Sequence, residues 1–175
     1  MSDILQRVSD ERDIFKKLLA KIPGFKGYIE RGDRRMSDKL LREQIANEFE
    51  NLYQRISSLQ RDLINQGEIE YIDDLEASAL KLRQFIDRVS TASYGYAGVF
   101  DAIKIKEEEL DKVYQYDYAL LALSDEVRSA IDNVETSIGT EGLDAAIRHL
   151  RNVSQECVDA FNKRSEVMKG LAVES

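Results

Sequence analysis

Between Leu41 and Leu63 the apolar residues fall at Leu41, Ile45, Phe49, Leu52, Ile56, Leu59 and Leu63, in steps of 4, 4, 3, 4, 3 and 4. Steps that alternate between 3 and 4 keep side chains on one face of an α-helix, and a strand would need a step of 2. A long apolar stripe on an otherwise charged segment has to be covered by other helices. The same spacing returns further along the chain. Ile72, Leu75, Ala79, Leu82, Ile86 and Val89 repeat it, with Phe85 widening the stripe. Val113, Tyr116, Leu120, Leu123, Val127, Ile131, Val134 and Ile138 do so again, as do Leu143, Ile147, Leu150, Val153, Cys157, Phe161 and Met168. A shorter first stripe runs through Ile4, Val8, Phe15, Leu18 and Ile22.

These stripes predict helices over residues 3–21, 34–66, 69–92, 106–138 and about 140–169. At 1.5 Å per residue the two longest would reach roughly 50 Å. One proline and nine glycines in 175 residues leave few breakers, and all but Gly170 fall between the stripes. Pro23 and Gly24 end the first helix, Gly67 is the expected C-terminal cap of the second, and Gly139 and Gly142 flank a turn with Thr140 as its expected N-cap. The segment SYGYAGVFDAIKI, residues 93–105, is ambiguous between an extended linker and a short helical turn. The fold expected is all-α: an elongated, mostly antiparallel bundle of about five helices with coiled-coil-like packing, in one domain over residues 1–175.

Simple up-and-down alternation puts two non-minimal connections, 22–35 and 93–105, at one end of that bundle. The minimal turns near Gly67 and Gly139 take the other, plain end. The first end collects Phe25, Tyr28, Tyr94, Tyr96 and Phe100, which serve either as a small satellite core or as a binding surface. It also collects positive charge. Residues 16–42 carry nine basic side chains against three acidic ones, a local +6, which leaves −14 on the rest of a chain whose net charge is −8. Arg34 and Arg35 would lie in the first turn of a helix, where cations oppose the helix dipole at a cost of about 0.3–1 kcal/mol each. The offset is either internal or external. Internally, Glu107, Glu108, Glu109 and Asp111 open the fourth helix at the same end, and Asp38 stands four residues from both Arg34 and Arg42. Externally, an anion or an acidic partner surface would serve.

The partner-binding residues expected on this reading are Phe25, Tyr28, Arg31, Arg34, Arg35, Lys39, Arg42, Tyr94 and Tyr96. The partner expected is another protein or a second copy of the chain. The segment FKKLLAKIPGFK, residues 15–26, offers an alternative as a basic amphipathic strip on an anionic membrane surface. A small-anion-binding module at the same end is a third reading. The acidic balance argues against nucleic acid, which needs clustered positive charge.

Chemistry has little to build on. Zinc needs a cluster of Cys and His, and the chain holds one of each, His149 and Cys157. A ferritin-like di-iron site would need Glu three residues before His, and that position is Ala146. No phosphate-binding glycine loop follows a strand. Tyr114, Asp117 and Tyr118 make a polar spot that reads as core edge. The expectation is a non-enzymatic protein without cofactor or metal. The single Cys157 excludes an intrachain disulfide, the N-terminus MSDILQRVSDERD does not read as a secretory signal, and no apolar run spans a membrane. The expected compartment is the cytoplasm, with the inner membrane face as the peripheral alternative.

The segments IPGFKGYIERGDRRMSDKLLR and YGYAGVFDAIKIKEEELDKVYQYDYALL resemble a set of uncharacterised bacterial helical proteins. Those carry similar IPGF/Y-x-GY, ADKLLR and YGYAGxFDA segments, and the likeness covers most of the chain. Ser37 stands here where Ala is often found before DKLLR. The resemblance implies a helical bundle and brings with it no activity, cofactor or catalytic residue. Both segments fall on the two non-minimal connections.

Overall fold

The structure is a computed structural model. It describes residues 16, 19–31, 34–102 and 107–173, except for the side chains of 28, 29, 34–36, 38, 92–102, 107–114, 168 and 171–173. Among the described residues five α-helices follow one another: α1 (Phe25–Glu30), α2 (Arg34–Gln66), α3 (Ile72–Ala102), α4 (Glu107–Ser137) and α5 (Leu143–Val173). A 3₁₀ turn, Ile69–Tyr71, leads into α3. No strand occurs among the described residues, and the fold is an all-α bundle. Most of the expected first helix lies outside the described residues, although 19–21 are helical.

Two connections carry the turn chemistry that their glycines require. Gly67 adopts φ +81°, a conformation that costs any other residue more. The N–H of Glu68 donates to the Leu63 carbonyl at 2.9 Å and that of Gly67 to the Ile64 carbonyl at 3.1 Å. These two bonds form a Schellman cap, which satisfies the last carbonyls of α2. At the second turn Gly139 has φ +79°. Thr140 is not the N-cap expected. The Gly142 carbonyl accepts the first bond of α5, from Ala146 at 3.1 Å, so Gly142 holds that place. Thr140 instead braces the turn: its hydroxyl donates to the Ser137 carbonyl at 2.7 Å and accepts from the Gly142 N–H at 3.2 Å.

The segment 93–102 is neither linker nor isolated turn, because α3 continues unbroken to Ala102. The reason can be found in the spacing. Ala92, Tyr96 and Val99 prolong the stripe of Val89 in steps of 3, 4 and 3. Gly95 and Gly98 each weaken a helix by about 1 kcal/mol, which a continued apolar face offsets. The 22–35 connection likewise contains a short helix, α1.

Among the described residues α2 packs on α3 and α4, and α5 packs on the same two helices. The four long helices therefore form a square, with α2 and α5 on one diagonal and α3 and α4 on the other. Ion pairs and side-chain hydrogen bonds fix the directions. Arg83 meets Glu50 and Gln60 meets Glu76, so α2 and α3 are antiparallel. Arg128 reaches Glu48, and Arg55 reaches Asp132 and Glu135, so α2 and α4 run parallel. Arg151 with Asp74 and Arg88 with Asn162 make α3 and α5 parallel too. Chain neighbours are antiparallel, as expected. The lateral neighbours from different hairpins are parallel, which the spacing of one stripe cannot show.

A single apolar core runs through the square, from Ile22 and Phe25 at one end to Leu63 and Leu143 at the other. Part-way along it Phe49, Phe85 and Phe161 form an aromatic plug. The first two rings lie 4.4 Å apart between centroids, and the last two meet edge-on at 6.2 Å.

Candidate functional site

The end of the bundle that holds α1 and the start of α2 was singled out by charge and by aromatics, and the structure divides those residues into three groups. Phe25 is a core residue, 0% exposed, seated with Ile22 at 2%. It cannot present a surface to a partner, and it belongs to the main core of the bundle. Arg42 is likewise buried, at 6%. Its position lies three residues before Ile45 and seven before Phe49, on the inward face of α2. Arg31 and Lys39 are exposed, as are Lys16, Lys21 and Lys26. The side chains of Tyr28, Arg34, Arg35, Tyr94 and Tyr96, and those of Glu107, Glu108, Glu109 and Asp111, lie outside the described residues. The pairing of Arg34 and Arg42 with Asp38 lies there as well.

Three exposed lysines already face carboxylates. Lys21 Nζ lies 3.6 Å from Asp125, Lys26 3.7 Å from Glu30, and Lys39 3.7 Å from Glu43. Such exposed pairs are weak, typically below about 1 kcal/mol, and exchange readily for other anions. The Lys21 contact does more than neutralise. Asp125 also pairs with Arg128, which reaches Glu48 at 3.1 Å. The chain of charges ties the segment before α1 to both α4 and α2.

The described apolar residues of the segment 15–26 are turned inward. Ile22 and Phe25 are in the core, and Leu19 packs partly buried against it. On the outside lie its described lysines, Lys16, Lys21 and Lys26. Among the described residues no helix is long and apolar enough to cross a membrane.

One pair of residues at this end was missed. Asp117 of α4 and Arg164 of α5 are buried, at 0% and 1% exposure, and Arg164 Nε donates to Asp117 Oδ1. Asp117 had been read only as part of a polar core edge with Tyr114 and Tyr118. A signal for its partner was present. The α5 stripe steps from Phe161 to Met168, a gap of seven, and Arg164 fills the missing inward place. By their positions along the helices, Arg42, Asp117 and Arg164 occupy neighbouring levels of the bundle, just beyond the aromatic plug.

Elsewhere the chemistry is sparse. Among the described residues no group of three or more His, Cys, Asp or Glu side chains is placed to hold a metal ion. His149 is exposed while Cys157 is buried, so they face apart on α5. Burial pushes the Cys157 thiol far up, and its Sγ lies 3.3 Å from the Val153 carbonyl as a hydrogen-bond donor. The opposite end is less plain than its short turns imply, since Ile64 and Ile69 are 52% and 69% exposed there. Comparison with protein-family models, with curated proteins and with solved structures found no match for the chain.

Proposed function

We propose that the protein is a non-enzymatic interaction protein that docks an acidic protein surface, or a second copy of itself, through the basic end of its bundle. The observation that carries this reading is the separation of charge from apolar surface at that end. Residues 16–42 hold a local +6 on a chain of −8, and the described lysines of this stretch point outward while Ile22 and Phe25 point inward. A surface of that kind recruits partners by charge, with weak pairs that can be exchanged. Arg31 and Lys39 keep their place in the proposed surface, together with Arg34, Arg35, Tyr28, Tyr94 and Tyr96. Phe25 and Arg42 leave it for the interior. The resemblance to bacterial helical bundles, and a cytoplasmic location, belong to the same proposal.

Anionic lipid is the weaker alternative, because the described apolar residues of that strip, Leu19, Ile22 and Phe25, are already engaged in the core. The test is an affinity capture from the source organism, comparing the wild type with an Arg34→Glu/Arg35→Glu variant that circular dichroism shows to be folded. An acidic protein retained by the wild type alone, and released by moderate salt, supports the docking end. Equal recoveries refute it. Co-sedimentation with phosphatidylserine vesicles in the absence of any protein partner would replace it with the lipid reading.

A further inference from the structure

Among the described residues three charged side chains are buried, Arg42, Asp117 and Arg164, and all belong to the same end of the bundle. The other buried polar side chains whose bonds are resolved need no neighbour. Ser78, Ser124 and Ser154 donate to carbonyls of their own helices, those of Asp74, Leu121 and Leu150, at 3.0, 2.6 and 2.8 Å. The Asp117–Arg164 pair is different, because it joins two helices through ions taken out of water. Removing two ions from water costs several kcal/mol each, and their mutual attraction repays that only with complete hydrogen bonding. Here the carboxylate is only half engaged: Asp117 Oδ2 is buried and accepts no hydrogen bond among the described residues.

The aliphatic half of the bundle is held together by the opposite physics. Separating Val127, Ile131 and Val134 from Leu143, Ile147 and Leu150 exposes apolar surface, which water resists. Separating Asp117 from Arg164 lets water solvate both ions, which recovers part of their desolvation cost. Local opening follows the lowest free energy.

We propose that the Asp117–Arg164 pair makes the basic end of the bundle its opening end. There α4 and α5 part while the aliphatic half stays closed, with the Phe49–Phe85–Phe161 plug as the boundary. Opening bares Leu120, Leu121 and Phe161, which are 1%, 2% and 6% exposed in the closed bundle. The device stands whether or not an acidic partner docks at that end.

Amide hydrogen exchange by mass spectrometry tests it on the full chain. In the wild type, amides around Asp117 in α4 and around Arg164 in α5 exchange at least about tenfold faster than those around Ile131 and Leu150. The Asp117→Leu/Arg164→Met variant removes both ions, and the faster set slows to match the slower one. Asp117→Asn keeps the shape but removes the carboxylate charge that faces the arginine. It speeds the ionic end by a further factor of about ten and leaves the aliphatic end unchanged. Equal exchange at the two ends in the wild type overturns the proposal. So does a double variant that folds and keeps the difference, or an Asp117→Asn variant that accelerates both ends alike. If the double variant does not fold, the Asp117→Asn result decides.

Discussion

Near Gly67 and Gly139 the four long helices meet through Leu59, Leu63, Leu75, Ile131, Val134, Leu143 and Ile147, none more than 3% exposed; toward Phe25 the core also takes in Arg42 of α2, Asp117 of α4 and Arg164 of α5 at comparable burial. The two regions exclude water about equally and cohere for different reasons. In the first, every side chain brought inward lowers the free energy by leaving water. In the second, burying these three charged groups raises it, and a single geometry must compensate. Burial alone therefore does not measure how firmly a region is held.

The largest effects come from testing each region at its strongest contact. Phe85→Ala removes the ring shared by Phe49 and Phe161, and a loss of about 3–5 kcal/mol is expected in urea denaturation. Arg164→Met leaves Asp117 buried without its arginine and costs about 3 kcal/mol. Adding Asp117→Leu to that variant returns most of the loss. No second substitution at the aliphatic end restores a lost ring, so recovery at the ionic end alone confirms the contrast. If the double variant is as unstable as the single, the two regions cohere in the same way.

Smaller effects sharpen the boundary. Gly67→Ala forces a side chain into the left-handed region at φ +81° and loses about 1–2 kcal/mol, visible as a lower thermal midpoint. The loss should fall on the aliphatic end, and equal exchange acceleration at both ends would show that the ends are not independent. The smallest effect is one of pH. Arg83, hydrogen-bonded to Glu50 at 2.9 Å, holds the Glu50 carboxyl below its ordinary value of 4.5. The carboxylate's contribution is complete above that value and is lost as the pH falls through the lower, folded one. The pair is partly exposed and screened by solvent, so the effect is about 0.5 kcal/mol or less. Arg83 also stacks on Tyr53 at 4.2 Å, so Glu50→Gln should abolish this acid sensitivity without freeing the arginine. Paired acid titrations of the two proteins, followed by circular dichroism, check it.

Much of the fold was legible because stripes of 3 and 4 report helix faces directly. Every stripe residue named from Leu41 to Val89 is buried except Ile72, which is half-buried and packs on the core. What the stripes cannot report is which helix covers which. The parallel pairing of α2 with α4 depends on Arg55, Arg128 and their distant carboxylates, and nothing in a local pattern connects residues so far apart. The glycines of 93–102 misled for a related reason. Their propensity argues for a break, and the apolar phase of the surrounding helix outweighs it. The candidate site was legible as charge but not as geometry. Lys39 and Arg42 look alike in a count of basic residues, yet one is exposed and the other is buried. Arg164 escaped because a charged residue in an inward place reads as a gap in the stripe.

The parallel arrangement also has a consequence in time. Contacts within a hairpin join residues 16, 33 and 47 positions apart, as in Gln60–Glu76, Arg83–Glu50 and Arg164–Asp117. Contacts between hairpins join residues 74 to 80 apart, as in Arg88–Asn162, Arg55–Asp132 and Arg128–Glu48. Short loops close at lower entropic cost than long ones, so each hairpin can form before the two dock. Arg55→Ala should then hasten unfolding and leave the folding rate nearly unchanged in stopped-flow chevrons, because its partners arrive after the barrier. The cross-hairpin ion pairs would thus govern how long the assembled bundle lasts, while the hairpins govern how soon it appears.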